Sequence, residues 1–89
     1  MRIRRYIRFF GRVQGVGFRR RARAAANELG ASGWVRNLRD GSVEMEIQGL
    51  EEQIDLVIQA LEQSPYIDIR SMESKQIDTT EESGFRLLY

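Results

Sequence analysis

Along these 89 residues the spacing of apolar side chains switches between a period of two and a period of three to four. That rhythm limits the fold more than any other feature. In residues 3–13, IRRYIRFFGRV, the side chains Ile3, Ile7, Phe9 and Val13 share one parity, and Arg4, Tyr6, Arg8, Phe10 and Arg12 share the other. A half-buried strand is expected, with Arg5 the one charge on its apolar side. From Phe18 the positions Phe18, Ala22, Ala25, Ala26 and Leu29 step by three and four, and Gly30 stands where helices commonly end in a left-handed glycine. A second strand, Trp34 to Leu38, runs into the hairpin signal Arg39-Asp40-Gly41-Ser42. The third strand alternates Val43, Met45 and Ile47 inward with Glu44, Glu46 and Gln48 outward. After Gly49 a second helix is expected, with Leu50, Ile54, Val57, Ile58 and Leu61 on one face and Glu51, Glu52 and Asp55 near its positive end. Pro65 ends that segment, residues 67–77 read as a fourth strand, and Phe85 to Tyr89 as a short closing one.

The order β-α-β-β-α-β plus a C-terminal extra strand predicts an α+β sandwich of the ferredoxin-like kind. Right-handed crossovers then place both helices on one face of an antiparallel sheet. Residues 1–89 are expected to form a single domain around one core. Such folds serve many functions, so the function has to be read from a site.

Composition removes several chemistries. The chain has no cysteine and no histidine, which excludes disulfides, thiol nucleophiles, histidine bases and the usual zinc sites. No apolar run exceeds three residues, and Arg8 interrupts the patch from Tyr6 to Phe10. Neither a membrane span nor a signal-peptide core is therefore expected, and the cytoplasm is the expected location. The net charge of +1 hides a division: residues 1–39 hold eleven arginines and one acid, whereas residues 40–89 hold twelve acids and three cations. Thirteen of the fourteen cations are arginine, whose planar fork grips phosphate or carboxylate. Either an anionic ligand on the first half or pairing between the halves accounts for the division.

The most informative segment is Gly11-Arg12-Val13-Gln14-Gly15-Val16-Gly17-Phe18-Arg19. Three glycines in seven residues open backbone conformations closed to other residues, and successive N–H groups in such a turn can converge on an anion. The helix that follows adds its free N–H groups, and Arg19 can fork onto two oxygens of the same anion. A glycine turn that merely reverses the chain is the competing reading. A Walker loop is excluded because Phe18-Arg19, not Lys-Ser/Thr, follows Gly17. The dinucleotide fingerprint fails because Arg20 stands where its third glycine belongs, and no lysine occurs before Lys75.

The run GRVQGVGFR (Gly11 to Arg19), then Leu29-Gly30, Gly33-Trp34-Val35-Arg36-Asn37 and Asp40-Gly41-Ser42-Val43-Glu44, resembles the acylphosphatase family. The match is detailed over the first half, and the length and element order of the whole chain agree with it. The resemblance implies a ferredoxin-like fold and hydrolysis of carboxyl-phosphate bonds to carboxylate and inorganic phosphate, without metal or other cofactor. By position it implies that Arg19 binds the phosphoryl group and Asn37 positions the attacking water. The loop Gln14, Gly15, Val16, Gly17 and Phe18 would supply backbone N–H groups. It also implies small-molecule acyl phosphates as substrates; a monomer with no membrane or nucleic-acid partner is expected. An acyl phosphate suits a chain without histidine, because its carboxylate leaving group departs without a proton donor. Many members of the family carry Thr three residues after that arginine, where this chain has Ala22.

Two alternatives remain at this stage. Tyr6 and Phe10, with Arg4, Arg8 and Arg12, share the outward parity of the first strand and could form a single-strand-binding or RNA-binding face, although Glu44 and Glu46 on the third strand would repel phosphates. A non-catalytic anion-binding module on the same fold is the other. Taken alone, Asn37 reads as a turn-capping residue, Trp34 as packing and Gln14 as a loop-fixing side chain.

Overall fold

The computed structural model describes residues 1–89. Its elements are β1 (Ile3–Arg12), α1 (Phe18–Leu29), β2 (Ser32–Asn37), β3 (Val43–Gly49), α2 (Glu51–Glu62), β4 (Asp68–Ile77) and β5 (Phe85–Leu88). They form the expected ferredoxin-like arrangement, a five-stranded sheet of order β4-β1-β3-β2-β5. The first four strands pair antiparallel, and β5 adds to the β2 edge as a parallel neighbour. No helix is long and apolar enough to cross a membrane.

The core lies between the sheet and the helices. Ile7 and Phe9 of β1, Val35 of β2 and Val43, Met45 and Ile47 of β3 meet Phe18, Ala22 and Ala26 of α1 and Ile54, Val57 and Leu61 of α2. Period two on the strands and period three to four on the helices thus converge on one apolar layer. Ala22 is fully buried there, so the methyl group serves as packing. Gly30 ends α1 in the left-handed conformation, donating to Ala26 O and Asn27 O. Gln53 joins the two helices: its Oε1 accepts from Leu50 N at 2.7 Å, and its Nε2 donates to Leu29 O at 2.7 Å.

β2 begins two residues earlier than the apolar pattern predicts, because Ser32 and Gly33 already pair with Gln48 and Ile47. Gly33, at φ +140°, allows that approach; a Cβ there would stand 1.9 Å from the backbone oxygen of Glu46.

The outer face of the sheet departs most from expectation. Arg4, Glu44 and Gln48 carry outward parity yet are 3%, 8% and 5% exposed. The segment 78–84, which joins the β4 edge to the β5 edge, crosses this face at Arg4 and Gln48, while Tyr6 and Arg36 close over Glu44. Arg4 Nη1 donates to Glu82 Oε1 at 2.8 Å and its Nε to Glu46 Oε1 at 2.8 Å. Gln48 exchanges two hydrogen bonds with the backbone of Thr80. Tyr6 donates its hydroxyl to Glu44 at 2.8 Å, and Arg36 pairs with the same carboxylate. Burial alone would raise the pKa of Glu44, but the hydrogen bonds from Arg36 and Tyr6 outweigh it and hold the carboxyl below its usual range. Arg4, Glu44 and Gln48 are therefore paired, as their burial requires, whereas the hydroxyl of Ser32, opposite Gln48, is buried without a partner.

Candidate active site

The glycine turn is fastened at both ends. Val13 and Phe18 are 1% and 2% exposed, and the Phe18 ring packs against Phe9 with centroids 4.9 Å apart. Between them Gly15 and Gly17 adopt φ +72° and +79°. A Cβ on either would meet nothing within 4 Å, so backbone conformation and not space demands glycine there. Gly17 precedes α1 directly, no side chain caps the helix, and its first turn holds no acidic residue. The N–H groups of that turn, and the positive end of the helix, are left available to a ligand.

Gln14 belongs to this turn but turns its amide away: Nε2 donates to Leu38 O at 2.7 Å and Ser42 O at 2.9 Å, tying the turn to the β2–β3 hairpin. The hairpin is itself braced by Asp40, whose Oδ1 accepts from Ser42 N at 3.0 Å and from Ser42 Oγ, while Oδ2 pairs with Arg8. The Ser42 hydroxyl first, then its backbone N–H, then Arg8 hold the Asp40 carboxyl down at about 2.

Asn37 is the last residue of β2 and shares the parity of Val35, which puts it on the helix side of the sheet opposite Val43. It is half-buried, and its amide engages no other side chain or backbone group. The capping role open to it on sequence alone is therefore not the one it has. Arg19 leaves the first turn of α1, donates from Nη1 to Leu88 O at 2.9 Å, and lies 5.1 Å from the Tyr89 ring centroid.

Gly15, Gly17, Phe18, Arg19 and Asn37 line one open cavity of about 440 Å3, together with Val13, Arg20, Leu87 and Tyr89. Gln14 and Val16 lie outside its walls; Val16 packs partly buried against the core. Leu87 and Tyr89 were not legible as site residues, since no local pattern marks a contact between positions so far apart in the chain. Arg20 reads in the sequence as one more solvated arginine of the helix, and only the cavity sets it apart.

A guanidinium, an uncapped helix start and an unengaged amide face a common space. These define an α+β domain whose glycine turn and helix start open on a cavity lined by two arginines and an amide. A model of the acylphosphatase family matches residues 5–87. An acylphosphatase of Thermococcus kodakarensis is 48% identical over 64 residues, covering 72% of this chain and 70% of that protein. One of Thermoplasma volcanium is 39% identical over 84 residues and 93% of both chains. The crystal structure of acylphosphatase from Bacillus subtilis superposes with a TM-score of 0.88 at 30% identity, covering 98% of this chain and 99% of the other. The chain belongs to the acylphosphatase family of enzymes.

Proposed function

We propose that this protein hydrolyses the carboxyl-phosphate bond of acyl phosphates, with Arg19 and the backbone of the turn Gln14 to Phe18 holding the phosphoryl group and Asn37 aiming the water. The observation that carries the reading is that Arg19, the glycine turn and Asn37, from separate elements, line one cavity. In the reaction the water oxygen bonds to phosphorus as the bond from phosphorus to the acyl oxygen breaks. The carboxylate leaves with the electron pair, and the products are carboxylate and inorganic phosphate. Asn37 is no base, but its carbonyl oxygen can accept a hydrogen bond from the water and orient it in line. The water proton then passes to a phosphoryl oxygen or to solvent. What the protein supplies is position, together with charge stabilisation by donors already in place.

The single-strand-binding alternative loses its platform. Of its three arginines Arg4 and Arg8 are paired with carboxylates and only Arg12 is not, the Tyr6 hydroxyl is held by Glu44, and segment 78–84 crosses the face at Arg4. The test is hydrolysis of benzoyl phosphate followed by its ultraviolet absorbance. Arg19→Ala is expected to lose about 10²–10³-fold in turnover, as loss of a preorganised donor does elsewhere. Asn37→Ala should fall by a similar order, with circular dichroism unchanged in both. A folded Arg19→Ala protein with wild-type turnover would overturn the assignment. Wild-type protein that binds phosphate but turns over no substrate would leave the non-catalytic alternative.

A further inference from the structure

We infer that Arg20 is a specificity-determining residue that recognises a second negative charge on the acyl group, so that the favoured substrates are acyl phosphates carrying a further carboxylate or phosphate. This rests on the hydrolase reading of the same cavity. Arg20 is the one charged residue besides Arg19 that lines it. Arg19 already donates to Leu88 O and stacks near Tyr89. The Arg20 guanidinium, by contrast, is exposed and forms neither an ion pair nor a hydrogen bond within the chain.

Neighbouring residues of a helix diverge around its axis and do not face each other. Arg19 and Arg20 therefore border the cavity from different sides. With the phosphoryl group at the turn and at Arg19, Arg20 is left to meet another part of the substrate. The cavity, about 440 Å3, falls in the roughly 300–1,000 Å3 range of small-molecule sites, so it holds an acyl group as well as the phosphate. A guanidinium bordering that space favours an anionic acyl group over an uncharged one of the same shape.

The contact is present in the bound ground state and in the transition state alike, so its loss is expected mainly in KM. The probes are benzoyl phosphate and its 3- and 4-carboxy derivatives, rigid substrates that differ by one added carboxylate. Wild-type enzyme should prefer at least one carboxy derivative. Arg20→Gln should lower kcat/KM for that derivative about fivefold more than for benzoyl phosphate, as expected for an exposed ion pair. Arg23→Gln, an exposed helix residue outside the cavity, controls for the general positive field. Equal losses on charged and uncharged substrates in Arg20→Gln, or the same discrimination in Arg23→Gln, would overturn the inference while leaving the hydrolase reading intact. A wild-type enzyme that hydrolyses none of the three would overturn both.

Discussion

Arg19 and Asn37 reach the same cavity from different directions. Arg19 follows a left-handed glycine at a helix start, whereas Asn37 ends a strand on its helix side. Neither side chain is in an ion pair, and Arg19, which gives Nη1 to Leu88 O, keeps its other donors for a ligand. At the neighbouring hairpin Asp40 leads to a pH prediction. Its folded pKa is about 2 against an ordinary 3.8, so between those values the unfolded chain binds more protons than the folded one. The stability Asp40 contributes is complete above about pH 4 and is lost as pH falls towards 2. Glu44, also held low, acts in the same direction. Urea unfolding of Asp40→Asn is therefore expected to vary less with pH across that window than unfolding of the wild type. Parallel pH curves for the two proteins would contradict this.

Each element is placed by contacts at its ends as much as by its apolar face. α1 begins on Phe18 against Phe9 and ends on Gly30, and α2 begins where Gln53 ties it to Leu29. Asn27 of α1 accepts from Phe85 N at 2.9 Å and so fixes the start of β5, the strand that brings Leu88 to Arg19. The segment that leads into β5 is held by the Arg4–Glu82 pair, whose side chains are only 4% and 12% exposed. Glu82→Ala leaves Arg4 with one carboxylate in a covered site. A loss of about 1–3 kcal/mol is expected, visible as a lower urea midpoint with an unchanged slope. A midpoint equal to the wild type would show that the cover over the sheet is not held by this pair.

Across the whole molecule the charge division is only partly settled by internal pairing. Of the eleven arginines in residues 1–39, only Arg4, Arg8 and Arg36 meet a carboxylate. The rest leave the part of the chain that carries the glycine turn strongly positive, while Glu51, Glu52, Asp55 and Glu62 sit on α2 without ion pairs. Such a field draws anions towards the cavity and is screened by salt. The kcat/KM for benzoyl phosphate is expected to fall about threefold to tenfold between 10 and 500 mM ionic strength, with kcat nearly constant. A salt-independent kcat/KM would show that the unpaired arginines do not steer substrate.

Both helices, the hairpin and the glycine turn were legible in the sequence because each is a local event. Periodicity over a dozen residues sets a helix face, Asp40-Gly41 sets a turn, and Gly15 and Gly17 set a backbone conformation available to few other residues. Arg19 could be singled out beside the glycine turn, whereas Asn37, which taken alone reads as a turn-capping residue, was marked only by the resemblance to the family. The burial of Arg4, Glu44 and Gln48, the path of residues 78–84 over the sheet and the parallel docking of β5 beside β2 had no such signal. Outward parity says only which face a residue occupies, and whether that face is covered depends on where a distant segment crosses it. The support of Arg19 by Leu88 and Tyr89 and the selection of Arg20 from a row of arginines were decided in the same way. Contacts between residues far apart in the chain exist only once the sheet order has brought them together.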